Sequence, residues 1–244
     1  LKKALELSPN MPDALMQLGL CSGNHDKYRE YISRAIQLKP DYAAAYNNRA
    51  MIYYDPTDNN LEYLTNEEHQ DVEKINKLKN NFRNAIADIT EAIKLRPNDA
   101  LYHLNRGVFH SRLGEHKEAI DDFYKAINYA SDVLMDKLKT VVVIFKLLGK
   151  EYLELNDYNK AIGNFTEILC NMPDFKKIIT SKDTSLKQNF YEILRMRGKA
   201  YFLAGEKMKA KADFGEYLKR KREETAAVTR NSIFKLIGVM PEDI

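Results

Sequence analysis

The residues of this chain whose types could support chemistry are five histidines, two cysteines and a scatter of carboxylates. His103 and His110 share a helix face and His116 follows, yet no Cys or carboxylate accompanies them at the spacing a zinc site needs. Neighbouring acids such as Asp121 and Asp122 are expected on a helix surface, where charge is ordinary. No glycine-rich loop is present to cradle a phosphate, and no Ser, His and Asp arrangement stands out from background. The sequence therefore predicts a protein that is not an enzyme, with no catalytic residues, no metal and no cofactor.

The pattern that does stand out is a recurring order of apolar and small residues. Residues 102–131, YHLNRGVFHSRLGEHKEAIDDFYKAINYAS, form one helix-turn-helix unit. Arg106 and Gly107 mark where the first helix lets a neighbour approach, and Leu113 with Gly114 makes the turn. Ala119, Phe123 and Ala126 then fall at i, i+4 and i+7 on the inner face of the second helix. This spacing recurs, with gaps, from residue 1 to about residue 218. Such periodicity predicts a solenoid, an architecture built to present extended binding surfaces.

The unit resembles the tetratricopeptide repeat, whose signature runs W-x2-L-G-x2-Y, A-x3-F-x2-A and P over about 34 residues. A later copy carries Leu148-Gly149, Tyr152, Asn156-Asp157-Tyr158, Ala161, Phe165, Ile168 and Pro173. The last copy carries Arg197-Gly198, Tyr201, Ala204-Gly205, Ala210, Phe214 and Tyr217, without a closing proline. Earlier, Leu18-Gly19, Tyr28, Ile32, Ala35 and Pro40 make one copy. Tyr46, Arg49-Ala50 and Tyr53 with Phe82, Ala85, Ile89, Ala92 and Pro97 make another, split by an insertion of roughly two dozen residues against the family period. The resemblance implies an all-α, right-handed α-solenoid with a C-terminal capping helix. It places residues 1–9 as the end of a truncated repeat, five repeats at 10–40, 41–97 (insertion near 54–77), 98–131, 132–173 and 174–222, and the cap at 223–244, in a single tetratricopeptide domain. A chain that opens mid-repeat at LKKALELSPN, without Met, is expected to be a fragment. The family places large aromatics at the sites of His103 and His110 and a Tyr at that of His116, which implies packing roles.

The segments between repeats carry their own signals. YDPTDNNLEYL at 54–64 clusters Pro, Asp and Asn as a loop does, and Thr65 with Glu68 forms a capping box. The spacing predicts a helix from near Asn66 to about Leu95. The first helix of the fourth repeat is expected to start early, near Asp132. A loop over 174–184 precedes a helix from about Ser185, with Leu186, Phe190 and Leu194 on one face. Ala226 to Val239 is expected to cap the array, burying Ile233, Phe234, Leu236 and Ile237.

Composition bounds the rest. The formal charge of +3 over 244 residues lacks the basic excess of nonspecific nucleic-acid binders. KRKREE at 219–224 is read as a solvated helix end that complements the helix dipole. No apolar run approaches the roughly 18 residues of a membrane span. Cys21 and Cys170 sit repeats apart, so each is expected to pack as a small hydrophobe rather than form a disulfide. A reducing compartment, with the cytoplasm favoured, fits this usage.

By the resemblance, the first helices line a concave groove. The positions aligned on the Leu-Gly pair are Met16 and Leu20, Asn47 and Met51, Leu104 and Val108, Lys146 and Lys150, then Arg195 and Lys199, with Arg112 near the boundary. The lining passes from apolar, with adaptable Met side chains, to basic. A second series of Gln17, Asn48 and Asn105 offers amides that can pair with any peptide backbone, similar to the asparagine ladder of O-GlcNAc transferases over three rungs. The family's carboxylate clamp for chaperone C-termini, in contrast, is incomplete in every register: Lys150 stands where Asn is needed, and Leu147 and Met196 fail to complete it. The expected function is a protein-interaction scaffold that binds an extended segment, apolar at one end and acidic at the other. The protein or peptide partner is unidentified. The alternatives are a substrate-recruiting part of a larger enzyme and, with less support, single-stranded RNA binding.

Overall fold

The structure, a computed structural model, describes residues 11–53, 72–130, 134–171 and 184–224. These residues form ten α-helices and no strand: α1 Pro12–Leu20, α2 His25–Leu38, α3 Ala43–Ile52, α4 Val72–Leu95, α5 Ala100–Leu113, α6 His116–Tyr129, α7 Leu134–Glu154, α8 Tyr158–Asn171, α9 Thr184–Leu203 and α10 Lys207–Glu224. The chain divides into two compact units, Leu1–Ala130 with α1 to α6 and Ser131–Ile244 with α7 to α10. Within each unit the helices pair in sequence as antiparallel hairpins. The expected starts near Asn66 and Asp132, the 174–183 part of the loop and the capping helix lie outside the described residues. The helices expected to end near Leu95 and to begin near Ser185 end and begin at Leu95 and Thr184.

Local sequence explains where the helices start and stop. Pro12 occupies the first turn of α1, where its missing N–H costs nothing. Asn24 and Asp99 cap α2 and α5 by accepting from the amides of Lys27 and Leu101, each at 3.0 Å. Four hairpin turns hold a left-handed residue two positions before the next helix. Gly23 (φ 62°), Gly114 (φ 77°) and Gly205 (φ 82°) supply it in three, and Asn156 (φ 57°), of a type that tolerates this conformation, supplies it in α7–α8.

The hairpins close by pressing an aromatic ring against a glycine. A Cβ on Gly107, Gly149 or Gly198 would lie 2.7, 2.2 or 2.6 Å from the ring of Phe123, Phe165 or Phe214. Those three rings, and the alanines Ala119, Ala126, Ala161 and Ala210 beside them, are essentially without solvent exposure. Small residues therefore set the interhelix distance, and the aromatic fills it.

A second device joins the helices through buried charge. Asp122, expected on the surface, is 2% exposed. Its carboxylate takes two bonds of 2.7 Å from the Arg106 guanidinium, whose remaining nitrogen donates to Thr90 at 3.3 Å. Arg106 on α5 thus ties α6 to α4. Arg49 does the same from α3, joining Asp88 on α4 (2.6 and 2.8 Å) and Ser33 on α2. In the second unit Arg197 on α9 joins Asp213 on α10 (2.7 Å twice) and Thr166 on α8. Hydrogen bonding to Asp88 holds the Arg49 guanidinium above its ordinary value; for Arg197 burial works the other way and Asp213 more than offsets it. Bidentate geometry makes these stronger than ordinary surface pairs.

The histidines and cysteines are structural in different senses. His103 is buried, with Nε2 2.8 Å from the Pro97 carbonyl and Nδ1 3.2 Å from Asp122, and its ring lies on Tyr129. His110 bonds Glu115 at 2.6 Å, and His116 is half-buried. Cys21 and Cys170 are free and exposed, which corrects the expectation that they pack as hydrophobes. Among the described residues no group of His, Cys, Asp and Glu could hold a metal ion, and no helix is long and apolar enough to cross a membrane.

Candidate functional site

The arginine ties fix how α3, α5 and α9 are rotated. At about 100° per residue, Leu101, Leu104 and Val108 fall roughly 160° to 220° from the inward-pointing Arg106, and Asn105 falls about 100° from it. The same geometry places Asn47 and Met51 opposite Arg49, and Glu192, Arg195 and Lys199 opposite Arg197. On these three helices the candidate residues therefore share one face because a buried ion pair holds the other face down.

In the first unit that face is apolar and partly solvated. Leu20 is 51% exposed, Met51 39% and Leu101 53%, while Met16, Leu104 and Val108 are half-buried. Leu101 is not among the residues that the sequence marks for binding; its place three residues before Leu104 and seven before Val108 is the signal that could have found it. Arg112, half-buried, lies in the last turn of α5, where a cation complements the helix dipole.

The amides are partly committed to the protein itself. Asn105 donates to Asn47 Oδ1 at 2.9 Å and Asn48 donates to Met16 Sδ at 3.4 Å. Asn47, expected to line the groove, is 6% exposed and bridges α3 to α5 instead. Gln17 is exposed. One amide hydrogen each on Asn48 and Asn105 is thus used to join neighbouring first helices. A further tie runs from the Tyr42 hydroxyl to Asp13 on α1; burial and that bond push the Tyr42 phenol up to about 12.

In the second unit the face is basic, though not uniformly free. Lys150 and Lys199 are exposed and have no carboxylate partner among the described residues. Lys146 is bound: its Nζ lies 2.7 Å from Asn189 Oδ1 and 3.0 Å from Glu192 Oε2. Arg195 lies 3.9 Å from the other oxygen of Glu192. One carboxylate thus lies against two of the four cations of this face. A cavity of about 390 Å³ adjoins it, lined by Gln188, Tyr191, Glu192, Arg195, Tyr217 and Lys221.

Residues 79–133 match the tetratricopeptide repeat family, on the segment where the glycine, the aromatic and the arginine tie occur together. Residues 79–133 thus carry a tetratricopeptide repeat. The chain is 23% identical over 150 residues to the Hsp70-Hsp90 organising protein of Plasmodium falciparum (isolate 3D7), covering 57% of this chain and 26% of that one. Hsp70-Hsp90 organizing protein 3 of Arabidopsis thaliana is 24% identical over 182 residues, covering 68% and 32%. The chain thus spans about a quarter to a third of the length of these curated relatives. Among solved structures, a MamA protein superposes with a TM-score of 0.61 at 16% identity, over 89% of this chain and 96% of that one. That likeness is one of fold, an all-α tetratricopeptide array.

Proposed function

We propose that the chain is a protein-interaction scaffold whose first helices bind an extended peptide segment. The observation that carries this reading is the solvated apolar face of α1, α3 and α5, where Leu20, Met51 and Leu101 stand exposed and, on α3 and α5, opposite buried arginine ties. Met side chains accommodate varied apolar partners, and the outward groups of Gln17, Asn48 and Asn105 supply polar contacts for a backbone. On the second unit, acidic side chains of a ligand are assigned to Lys150 and Lys199, with Lys146 and Arg195 in support.

Peptides selected from a random display library against the whole chain test this reading. Selected sequences are expected to carry spaced apolar residues, and Met51→Asp with Leu101→Asp is expected to weaken them by about tenfold or more, since each buried apolar anchor contributes about 1.5–3 kcal/mol. Undiminished binding by that variant would move the site elsewhere.

A chaperone ligand is the second reading, favoured by the likeness to two Hsp70-Hsp90 organising proteins. Against it stand Leu147 and Met196, which leave the clamp pattern of Lys and Asn incomplete. Titration of the chain with purified Hsp70 and Hsp90 separates the two readings: binding that survives the Met51 and Leu101 changes and fails on Lys150→Glu with Lys199→Glu would favour the chaperone.

A further inference from the structure

We infer that Glu192 is a built-in occupant of the basic face of the second unit, and that the ligand able to displace it is a tract of several carboxylates rather than a single one. The inference rests on the reading above that this face takes acidic groups.

Glu192 stands where a ligand carboxylate would. One oxygen lies 3.0 Å from Lys146 Nζ and the other 3.9 Å from the Arg195 guanidinium. It shares a face of α9 with Arg195 and Lys199. The Lys146 side chain is 20% exposed, whereas that of Glu192 is 44% exposed. The lysine is therefore held in place, by Asn189 as well, while the carboxylate has room to swing away.

Exchange arithmetic then selects the ligand. A lone carboxylate can only replace bonds that Glu192 already makes, and a tethered group acts at an effective concentration on the order of millimolar or more. Such a ligand gains almost nothing. A run of carboxylates makes the same exchange at Lys146 and adds Lys150 and Lys199, which Glu192 does not reach. Those added contacts are the net gain, and the like charge of Glu192 penalises every weaker competitor. The occupant is itself a carboxylate, held by the two cations Lys146 and Arg195, which favours an acidic peptide over nucleic acid.

Fluorescence anisotropy of a labelled oligoglutamate peptide on the whole chain at low salt tests this, with wild type, Glu192→Gln and Lys150→Glu/Lys199→Glu compared. The Glu192→Gln change keeps the size of the side chain while removing its charge, and Glu192→Ala serves as a second variant; thermal melts check that all fold alike. Glu192→Gln is expected to bind about fivefold tighter, the size set by losing a partly exposed competing pair. A peptide with one glutamate among serines is expected to compete on that variant and not on wild type. Equal affinity of wild type, Glu192→Gln and Glu192→Ala, with binding still lost in the double lysine variant, would overturn the role of Glu192 and leave the basic face standing. Absence of oligoglutamate binding by all variants would overturn the basic face as well. Tighter binding of a single-stranded RNA than of oligoglutamate would overturn the choice of ligand.

Discussion

Arg106→Met is expected to destabilise the first unit by about 3–5 kcal/mol, the cost of leaving a buried carboxylate without its guanidinium partner, with only His103 at 3.2 Å and His110 at 3.9 Å beside it. Asp122 is 2% exposed, so water cannot replace the two 2.7 Å bonds that Arg106 makes. Truncation also removes the bond to Thr90 on α4, loosening the repeat-to-repeat contact as well as the hairpin. A second substitution separates the charge penalty from lost packing. Asp122→Asn in the wild-type background breaks a charge-assisted bond and lowers stability, but in the Arg106→Met background it removes a buried charge that the guanidinium no longer balances and raises stability. Urea unfolding of the four proteins reads this reversal of sign. If both single changes cost under about 1 kcal/mol, as exposed pairs do, the tie does not hold the helices.

The second large effect concerns glycine in two places on the same unit. Gly149→Val puts a β-branched side chain where even a bare Cβ would come within 2.2 Å of the Phe165 ring. Phe165 is wholly buried, so α7 and α8 must part, at about 3 kcal/mol, the upper end of the range for overpacking. Gly163 on α8 meets nothing within 4 Å, and Gly163→Ala is expected to stabilise by about 0.5–1 kcal/mol through helix propensity alone. Thermal unfolding should therefore move in opposite directions for the two glycines. Adding Phe165→Leu should recover part of the Gly149→Val loss, since the clash is with that ring.

The helices were legible because their signals are local. Ala119, Phe123 and Ala126, or Leu113 with Gly114, act within two turns of chain, and small-residue packing against an aromatic follows from the same few positions. The site faces were legible for a related reason: positions four apart on a helix project together whatever the tertiary context. What escaped were groups whose meaning depends on another helix. Asp122 reads as one of two adjacent surface acids until Arg106 is placed against it, although an Arg before the small residue and an Asp before the aromatic, sixteen residues on, recurs at Arg197 and Asp213. Lys146 reads as a free cation until Asn189 and Glu192 arrive from α9. Asn47 reads as a groove residue until Asn105 covers it. Each miss is a partner chosen by packing, which spacing along one helix does not encode.

The most direct test of the scaffold reading is amide hydrogen exchange of the whole chain with and without a selected peptide, resolved to individual helices. Slowed exchange is expected in α1, α3 and α5 of the first unit, with α2, α4 and α6 unchanged. Protection confined to α2, α4 and α6 would contradict it, placing the ligand on the opposite faces and leaving the solvated row of Leu20, Met51 and Leu101 without a role in binding.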